Sequence, residues 1–533
     1  MIEGHISCGK MGLTDDTGKR CPLLPCSIPN ITNTSMQQQQ QQQQQMVDHA
    51  STYTMDEALL PMGFGKFQAF LLAYSGMGWI SEAMEMMLLS FVGPSVQEIW
   101  KLSAQEQSLI TSVVFVGMLI GAFSWGLISD IYGRRMGFLF TAIITGVAGF
   151  LSAFAPNYIA LIVLRFLVGI GLGGGPVLSA WFLEFVPSPN RGAWMVVFSA
   201  FWSIGTILEA SLAWAVMPKM GWRWLLALSS VPSFLLLLLY GFTSESPRYL
   251  CMKGKTTDAM QVLEKMAKWN HVSLPSGTLV SDHTCVPDEN PASSAGLDSI
   301  TIQRHDTNTD DSESKRGGIT SLFRLLSRKL LRTTLLLWMV IFGCAFAYYG
   351  IILLTSELSS GNKKCSSNKL HLKSDGSGLY KNVLITSLAE IPGLFIAATI
   401  VDRIGRKLTM SSMLFVSCIL LIPLVSHQKE VLTVGLLFGA RMLISGSFTI
   451  VYIYAPEVYP TSTRTTGVGV ASAVGRVGGI VCPLVAVGLV HGCHQTAAVL
   501  LFELVILLAA VAICFFPFET SRRYLLDSVR NIK

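Results

Sequence analysis

Apolar stretches of about 20 residues recur along the whole chain, separated by short polar segments. A helix of about that length crosses the roughly 30 Å of hydrocarbon in a bilayer. Only 14% of the 533 residues are charged, which is too few to cover the surface of a soluble protein of this size. The sequence therefore predicts an all-α membrane protein with twelve spans. These spans lie at 66–90, 107–129, 137–155, 157–180, 193–216, 223–243, 333–354, 381–401, 408–426, 432–454, 466–490 and 495–517.

The spans form two groups of six, so the chain divides into two helical bundles joined by a linker and flanked by two tails. The N-terminal tail is polar, contains nine consecutive glutamines and lacks an apolar signal segment, which predicts a disordered cytoplasmic tail. The linker begins with an amphipathic helix at 257–269 and then becomes polar, which predicts no folded domain. The predicted boundaries are 1–62 for the N-terminal tail, 63–250 and 333–518 for the bundles, 251–332 for the cytoplasmic linker and 519–533 for the C-terminal cytoplasmic tail.

Basic residues in the short loops predict orientation, because Lys and Arg are enriched in cytoplasmic loops. The basic loops fall on the side that also holds the linker and both termini, so we place that side in the cytoplasm. The outside loop at 356–381 carries five lysines and departs from the rule. Cys365 and Cys493 fall in outside loops, and the sequence leaves open whether they pair. The basic residues of the cytoplasmic loops are Arg134, Arg135, Arg191, Arg403, Arg406, Lys407 and Arg464.

The two bundles carry the same polar motifs at an offset of 272 to 276 residues. Five matches in register indicate a parallel repeat of two halves, an arrangement in which carriers bind substrate near the membrane midplane. The match between Glu245 and Glu519 is the weakest of the five. The matched pairs are Asp130 with Asp402, Arg165 with Arg441, Glu184 with Glu457, Arg191 with Arg464, and Glu245 with Glu519.

Opposite charges at the cytoplasmic ends of the helices predict a gate. Such charges can lock one conformation and must separate in the other, and only a network of partly exposed pairs would bias the equilibrium. Gly133 is expected to permit the tight turn after the second span. The alternative is that these charges only set the topology. The predicted gate residues are Asp130, Arg134, Arg135, Glu184, Arg191, Glu245, Arg248, Asp402, Arg403, Arg406, Glu457 and Arg464.

Several motifs carry a family resemblance. The segments 165–174 (RFLVGIGLGG) and 244–250 (SESPRYL), with the paired loop motifs, resemble the sugar-porter and organic-ion branches of the major facilitator superfamily. The segment 81–91 (SEAMEMMLLSF) is similar to the synaptic-vesicle-protein-related carriers. With 389–393 (AEIPG) and 473–479 (AVGRVGG), the chain resembles the plant organic cation/carnitine transporters, a type that includes nicotinate transporters. The resemblance implies a major facilitator superfamily fold of twelve transmembrane helices in two six-helix bundles.

Ionisable residues inside the apolar stretches are costly in hydrocarbon, so each is a functional hypothesis. Glu82 and Arg165 each lie about 12 Å below the outer ends of their helices, which predicts that they meet. In the proton-coupled sugar porters that the chain resembles, an acid of the first helix pairs with this arginine, and a proton breaks the pair. The resemblance implies that Glu82 couples transport to protons with help from Glu85. The alternative is a static bridge between two helices.

Three further buried charges have less specific interpretations. Glu390 and Arg441 each lie about 14 Å inside their spans, so they can form the counterpart of the first pair, or Glu390 can line the substrate cavity. Glu209 has no evident partner in the sequence. It either lines the cavity or belongs to an ion pair that the sequence does not reveal.

Arg476 lies about 15 Å inside the eleventh span and is the predicted substrate-binding residue. A guanidinium binds a carboxylate through two parallel hydrogen bonds, and this preference is strong in a low-dielectric cavity. The chain resembles the organic anion carriers, which hold an arginine at this position. A carboxylate such as nicotinate is favoured, and so is a zwitterion such as carnitine whose cationic head lies near Glu82, Glu85 or Glu390. The aromatic candidates for its ring or ammonium are Trp79, Trp202, Phe346, Tyr348 and Tyr349.

The sequence thus predicts a proton-coupled secondary transporter of a small organic ion that works by alternating access. An organic cation porter, a sugar porter and a transport-inactive sensor remain alternatives. The chain has no GxxxxGK[ST] segment, no metal-binding cluster and no catalytic constellation, so we predict no enzyme, no cofactor, no metal and no nucleic-acid partner. The expected partners are the organic ion, the proton and the lipid bilayer. We expect a monomer in the plasma membrane, with the vacuole or another endomembrane as the alternative.

Overall fold

The structure is a computed structural model, and the described residues are 52–187, 191–279, 325–327, 330–359, 377–426, 428–459, 464–491, 494–517 and 519–520. Residues 53–275 and the described residues from 279 onward form one compact unit, which contains every site discussed below. Residues 52 and 276–278 belong to a second unit. Cys365, Cys493 and the polyglutamine tract lie outside the described residues.

Eleven helices among the described residues are long and apolar enough to cross a membrane. The first span, Lys66–Trp100, is 35 residues long and is less apolar, with three glutamates along its length. Together they give the predicted twelve spans, two groups of six. In order, the helices of the spans are Lys66–Trp100, Ala104–Tyr132, Arg134–Ser152, Tyr158–Leu172 with Gly175–Leu183, Arg191–Met220, Trp222–Ser229 with Val231–Leu239, Leu331–Ser359, Ser377–Leu388 with Glu390–Ile404, Arg406–Leu421, Glu430–Val458, Arg464–His491 and Gln495–Cys514.

Small residues decide where the helices turn and how closely they pack. Gly133 and Gly405 have φ angles of 109° and 93°, which a residue with a side chain rarely adopts, and each separates two consecutive spans of one half. This confirms the predicted turn at Gly133. Gly121 and Gly169 lie where the second and fourth spans approach to backbone contact, and a Cβ atom at either position would collide with the other helix.

The two halves meet along several of their helices. The second span packs against the eleventh, the fifth against the eighth, and the first against the seventh. Ser112 Oγ of the second span donates to the carbonyl oxygen of Ile480 at 2.9 Å, and Gly479 lies against the ring of Phe115. The interface between the repeats is therefore packed and hydrogen-bonded.

The cytoplasmic side of the N-terminal half carries additional structure. The predicted amphipathic helix is present at Thr256–Asn270, and its Leu263 and Met266 are buried. The prediction of a disordered tail up to residue 62 is wrong for its last part. Met55–Leu59 forms a helix capped by Thr54, because its apolar residues find a core to join. The other short elements are the helix Pro247–Met252, the 3₁₀ helices Tyr240–Phe242 and Ile422–Val425, and the strands Thr52–Tyr53 and Thr278–Leu279.

Candidate functional site

The N-terminal half contains a buried ion pair between the first and fourth spans. Arg165 Nη1 donates to Glu85 Oε2 at 2.9 Å, and both side chains are at most 1% exposed. Arg165 Nε also donates to Ser152 Oγ at 3.2 Å. The prediction that Glu82 meets Arg165 is wrong. The first helix ends at Trp100, ten residues past the predicted end at residue 90. Depths counted from residue 90 were therefore too small. Arg165 instead contacts Glu85, the next acid toward the outer end of the helix.

A second carboxyl group lies beside this pair. Glu209 is fully buried, and Ser229 Oγ lies 2.9 and 2.8 Å from its two carboxyl oxygens. Glu209 is close enough to Glu85 for their charges to repel. The sequence predicted that Glu209 either lines the cavity or belongs to an ion pair. In the structure it lies in the interior of the N-terminal half and is bonded to a serine. Two carboxyl groups, Glu85 and Glu209, therefore lie in the interior of the half, and among the described residues only Glu85 is paired with an arginine.

The C-terminal half also contains a buried ion pair, here between the eighth and tenth spans. Arg441 Nη2 and Nε donate to Glu390 Oε1 at 2.7 and 3.2 Å, and both side chains are fully buried. This confirms the predicted pairing and excludes free exposure of Glu390 in the cavity. Arg441 is the repeat partner of Arg165, so the two halves each hold one buried arginine with a glutamate from a neighbouring span.

A chain of hydrogen bonds joins this pair to the other half. Tyr348 Oη donates to Glu390 Oε1 at 2.8 Å, and Trp202 Nε1 of the fifth span donates to Tyr348 Oη at 2.8 Å. Thr206 Oγ1, one turn further along the fifth span, donates to Glu390 Oε2 at 3.3 Å. The sequence singled out Trp202 and Tyr348 only as possible substrate contacts. Their polar atoms bond to each other and to the ion pair.

Glu82 and Arg476 face each other across the interface between the halves. Both side chains are partly exposed, and their charges interact. Arg476 also hydrogen bonds with Tyr349, and its Nη1 lies 3.8 Å from Met118 Sδ. The Arg476 guanidinium therefore lies in a polar and accessible part of an otherwise apolar interface.

Aromatic rings form one wall of the same region. The rings of Trp79 and Trp202 are 5.4 Å apart, and both are partly exposed. Glu82 lies against Gly175, where a Cβ atom would come within 2.6 Å of the carboxylate and 2.9 Å of the Trp79 ring. Glycine at this position therefore leaves room for the acid and the indole side by side.

One contact between the halves was not predicted from the sequence. Gln107 Nε2 at the outer end of the second span donates to Glu357 Oε1 of the seventh span at 2.7 Å, and both residues are buried. Glu357 was missed because the seventh span was expected to end at residue 354, whereas the helix continues to Ser359. The bond holds the outer ends of the halves together.

The predicted gate charges form matching pairs in the two halves. Arg134 pairs with Asp130 and, at 3.2 Å, with Glu184, and Arg406 lies 3.4 Å from Glu457. These pairs join helices of the same half, so in this conformation they brace each half. Burial raises the pKa of the Glu184 carboxyl, against the opposing effects of Ser246 and Arg134.

The weakest repeat match has a clear structural role. Glu245 accepts hydrogen bonds from the backbone nitrogen of Arg135 at 3.2 Å, and Glu519 accepts them from Arg406 and Lys407 at 2.8 and 2.9 Å. Each carboxylate thus caps the N-terminus of a span, where free backbone N–H groups and the helix dipole favour an anion. The match is confirmed as a structural repeat.

The other gate residues have more varied surroundings. Arg191 donates to the carbonyl oxygen of Val186 at 3.2 Å, and Arg248 pairs with Asp56 of the N-terminal helix. The Arg135 guanidinium stacks over the Tyr240 ring at 4.3 Å. Arg403 is exposed. The side chains of Asp402 and Arg464 lie outside the described residues.

Two repeated six-span halves, each with a buried arginine–glutamate pair and an accessible polar region between them, define a multi-pass membrane transporter. The chain belongs to the sugar (and other) transporter family of the major facilitator superfamily, whose family model matches residues 31–529. The membership confirms the fold class and the family indicated by the sequence motifs.

Named relatives and solved structures agree with this membership. The chain is 59% identical over 499 residues to organic cation/carnitine transporter 7 of Arabidopsis thaliana, covering 92% of this chain and 99% of the relative. It is 39% identical to the synaptic vesicle 2-related protein of Xenopus laevis, covering 90% and 83%. The E. coli xylose transporter in a partially occluded inward-open conformation matches with a TM-score of 0.64 at 15% identity, covering 85% and 99%. The structural likeness shows the fold alone.

Proposed function

We propose that the chain is a proton-coupled carrier of a small organic ion that bears a carboxylate, with a zwitterion such as carnitine or an acid such as nicotinate as substrate. The observation that carries the proposal is the group formed by Glu85, Arg165 and Glu209. These two buried carboxyl groups are close enough to repel each other, and among the described residues only Glu85 pairs with a guanidinium, so the group favours the uptake of one proton.

The coupling follows from the competition between Arg165 and a proton for the Glu85 carboxylate. When Glu85 is ionised, its bond to Arg165 ties the first span to the fourth. A proton on Glu85 removes the attraction, so the two spans can move relative to each other. Glu209 lies close enough to Glu85 to favour this protonation, since its negative charge would oppose a second one nearby.

The substrate site is supported by Arg476 and the residues around it. The guanidinium suits a carboxylate, and Tyr349 holds it on one side. Glu82, Trp79 and Trp202 together suit a cationic head, because a carboxylate attracts it and the indole faces stabilise it. A zwitterion that enters between Glu82 and Arg476 replaces their mutual attraction by two new ion pairs.

A second candidate is an organic cation carrier. The Arabidopsis relative is named for organic cations as well as for carnitine, and Glu82 lies beside two indole rings. In this case Arg476 stays paired with Glu82 in the empty carrier and is displaced when the cation binds. We also propose that the carrier acts as a monomer in the plasma membrane.

Uptake by the purified full-length chain in proteoliposomes tests these proposals. Radiolabelled nicotinate, carnitine, choline and glucose are compared at mildly acidic and at neutral external pH. Accumulation of nicotinate or carnitine that increases with external acidity supports the proposal, whereas accumulation of choline alone supports the cation carrier. If no compound enters under any gradient while ligands still bind, the chain is a sensor that has lost transport.

A further inference from the structure

The twelfth span carries an acidic residue on a face of the C-terminal half that is turned toward lipid. Glu503 lies eight residues inside the helix Gln495–Cys514, which puts it about 12 Å from the outer end at about 1.5 Å per residue. Its neighbours Leu500, Leu504 and Leu507 are 42% to 50% exposed, as expected of a face turned toward lipid. A carboxyl group at this depth is costly unless something binds it.

Glu503 lies in an apolar groove between the ninth and twelfth spans. The groove has a volume of about 420 Å³, within the size range of small-molecule sites, which run from about 300 to 1,000 Å³. Phe415, Ile419 and Ile422 form the wall on the ninth span. Glu503 is the single ionisable carboxylate among the described residues of the lining, and Cys418 lies beside it.

The polar atoms of Glu503 are poorly satisfied within the described part of the chain. Its Oε1 is buried and has no hydrogen-bond partner there. Cys418 Sγ points toward the backbone oxygen of Glu503 at 3.9 Å, which leaves the carboxyl group unbonded by that thiol. A buried carboxyl oxygen without a partner is unfavourable, so a ligand that donates a hydrogen bond to it gains affinity.

We propose that this groove is a binding site for a compact lipophilic amine, with its ammonium group on Glu503 and its apolar body against the leucines and isoleucines. The charge of the ligand complements the carboxylate, and its body complements the walls. The distance from Leu500 to Leu507 along the helix is about 10 Å, which suits a compact body and is shorter than a lipid chain that spans half of a roughly 30 Å bilayer.

This site is separate from the transport pathway. It lies on the ninth and twelfth spans, whereas Glu82 and Arg476 lie on the first and eleventh. The proposal therefore does not depend on the proposed function, and binding can be measured without transport. A ligand there reaches the protein from the membrane.

The test uses the full-length protein in lipid nanodiscs and equilibrium binding of tritiated 1-aminoadamantane, with excess choline and carnitine present to occupy the region between Glu82 and Arg476. Competition by 1-adamantanol, a neutral compound of nearly the same shape, measures the contribution of charge on the unaltered protein. Glu503→Gln removes the negative charge, and Leu504→Trp fills the groove without changing the acid. Glu98→Gln, at an exposed glutamate of the first span, is the matched control.

We expect Glu503→Gln to weaken amine binding by about tenfold or more and Leu504→Trp to abolish it. Glu98→Gln should leave amine binding unchanged. The alcohol should bind to the unaltered protein at least about tenfold more weakly than the amine. Equal affinity for amine and alcohol overturns the proposal, even if a variant fails to fold. Binding that survives both groove variants also overturns it. So does a disulfide between two copies of a Leu504→Cys variant in native membranes, because a second copy would then cover the groove.

Discussion

Arg165 is bonded to Glu85 at 2.9 Å, and Glu82, three residues earlier on the same helix, instead faces Arg476 across the interface. Glu82 and Glu85 therefore have separate surroundings. One lies in the interior of the N-terminal half, and the other lies in the accessible region between the halves.

Replacing Glu85 by Gln is expected to uncouple transport from protons. Glutamine cannot be protonated in exchange for releasing Arg165, so the pH gradient no longer drives accumulation. If one proton moves with each substrate, the ratio of internal to external substrate should fall from about tenfold per pH unit to about one. Exchange of labelled for unlabelled substrate should continue. Proteoliposome uptake under an imposed pH gradient measures both. The matched variant Glu82→Gln should keep accumulation and lose apparent affinity, and the reverse pattern would refute the assignment.

Replacing Arg476 by Ala is expected to impair uptake of carboxylates selectively. The loss of a charge-assisted bidentate contact of about 1.5–3 kcal/mol corresponds to about a 10- to 100-fold lower transport efficiency for nicotinate or carnitine. Arg476→Lys should retain part of the activity, because lysine keeps the charge but not the planar geometry. Choline, which has no carboxylate, is the internal control. A parallel loss of choline uptake would mean that Arg476 supports the structure and does not select the substrate.

The bond from Trp202 to Tyr348 should couple the halves during transport. Tyr348→Phe removes only the hydroxyl group, and Trp202→Phe replaces the indole by a smaller ring without an N–H group, so each should change the turnover rate by about three- to tenfold. The double variant should differ little from Tyr348→Phe alone, because loss of the Tyr348 hydroxyl already breaks the bond from Trp202. Tyr158→Phe, whose hydroxyl bonds to the Glu106 carbonyl within one half, is the control. Additive effects would contradict a shared link.

The brace formed by Arg134 and Glu184 should weaken in acid. Burial raises the pKa of Glu184, and its charged form is lost as pH falls through that raised value, so the pair separates at a higher pH than an exposed pair would. Hydrogen exchange of residues 129–135, corrected for the intrinsic pH dependence, should therefore accelerate between neutral and mildly acidic pH. Glu184→Gln should remove this dependence. Asp130→Asn should have little effect, because the Asp130 side chain is 62% exposed.

Much of the architecture can be read from the sequence. The length of the apolar stretches gives twelve spans, the offset of 272 to 276 residues gives two halves, and the charges at Arg165 and Arg441 identify residues that must find partners. These inferences succeed because hydrocarbon thickness and the cost of buried charge act on each stretch by itself. The helix at 256–270 was found for the same reason, since its amphipathic pattern is local.

The tertiary structure decided which partner each charge takes. It selected Glu85 over Glu82 for Arg165, buried Glu209 against Ser229, and joined Gln107 to Glu357 across the halves. Each choice depends on where a helix ends and how it is rotated against helices that are distant in sequence. A single-residue error in a helix end shifts the estimated depth of a residue by about 1.5 Å, and consecutive side chains on a helix point about 100° apart. The sequence by itself therefore determined that these charges are buried, and only the packing of the helices determined how they pair.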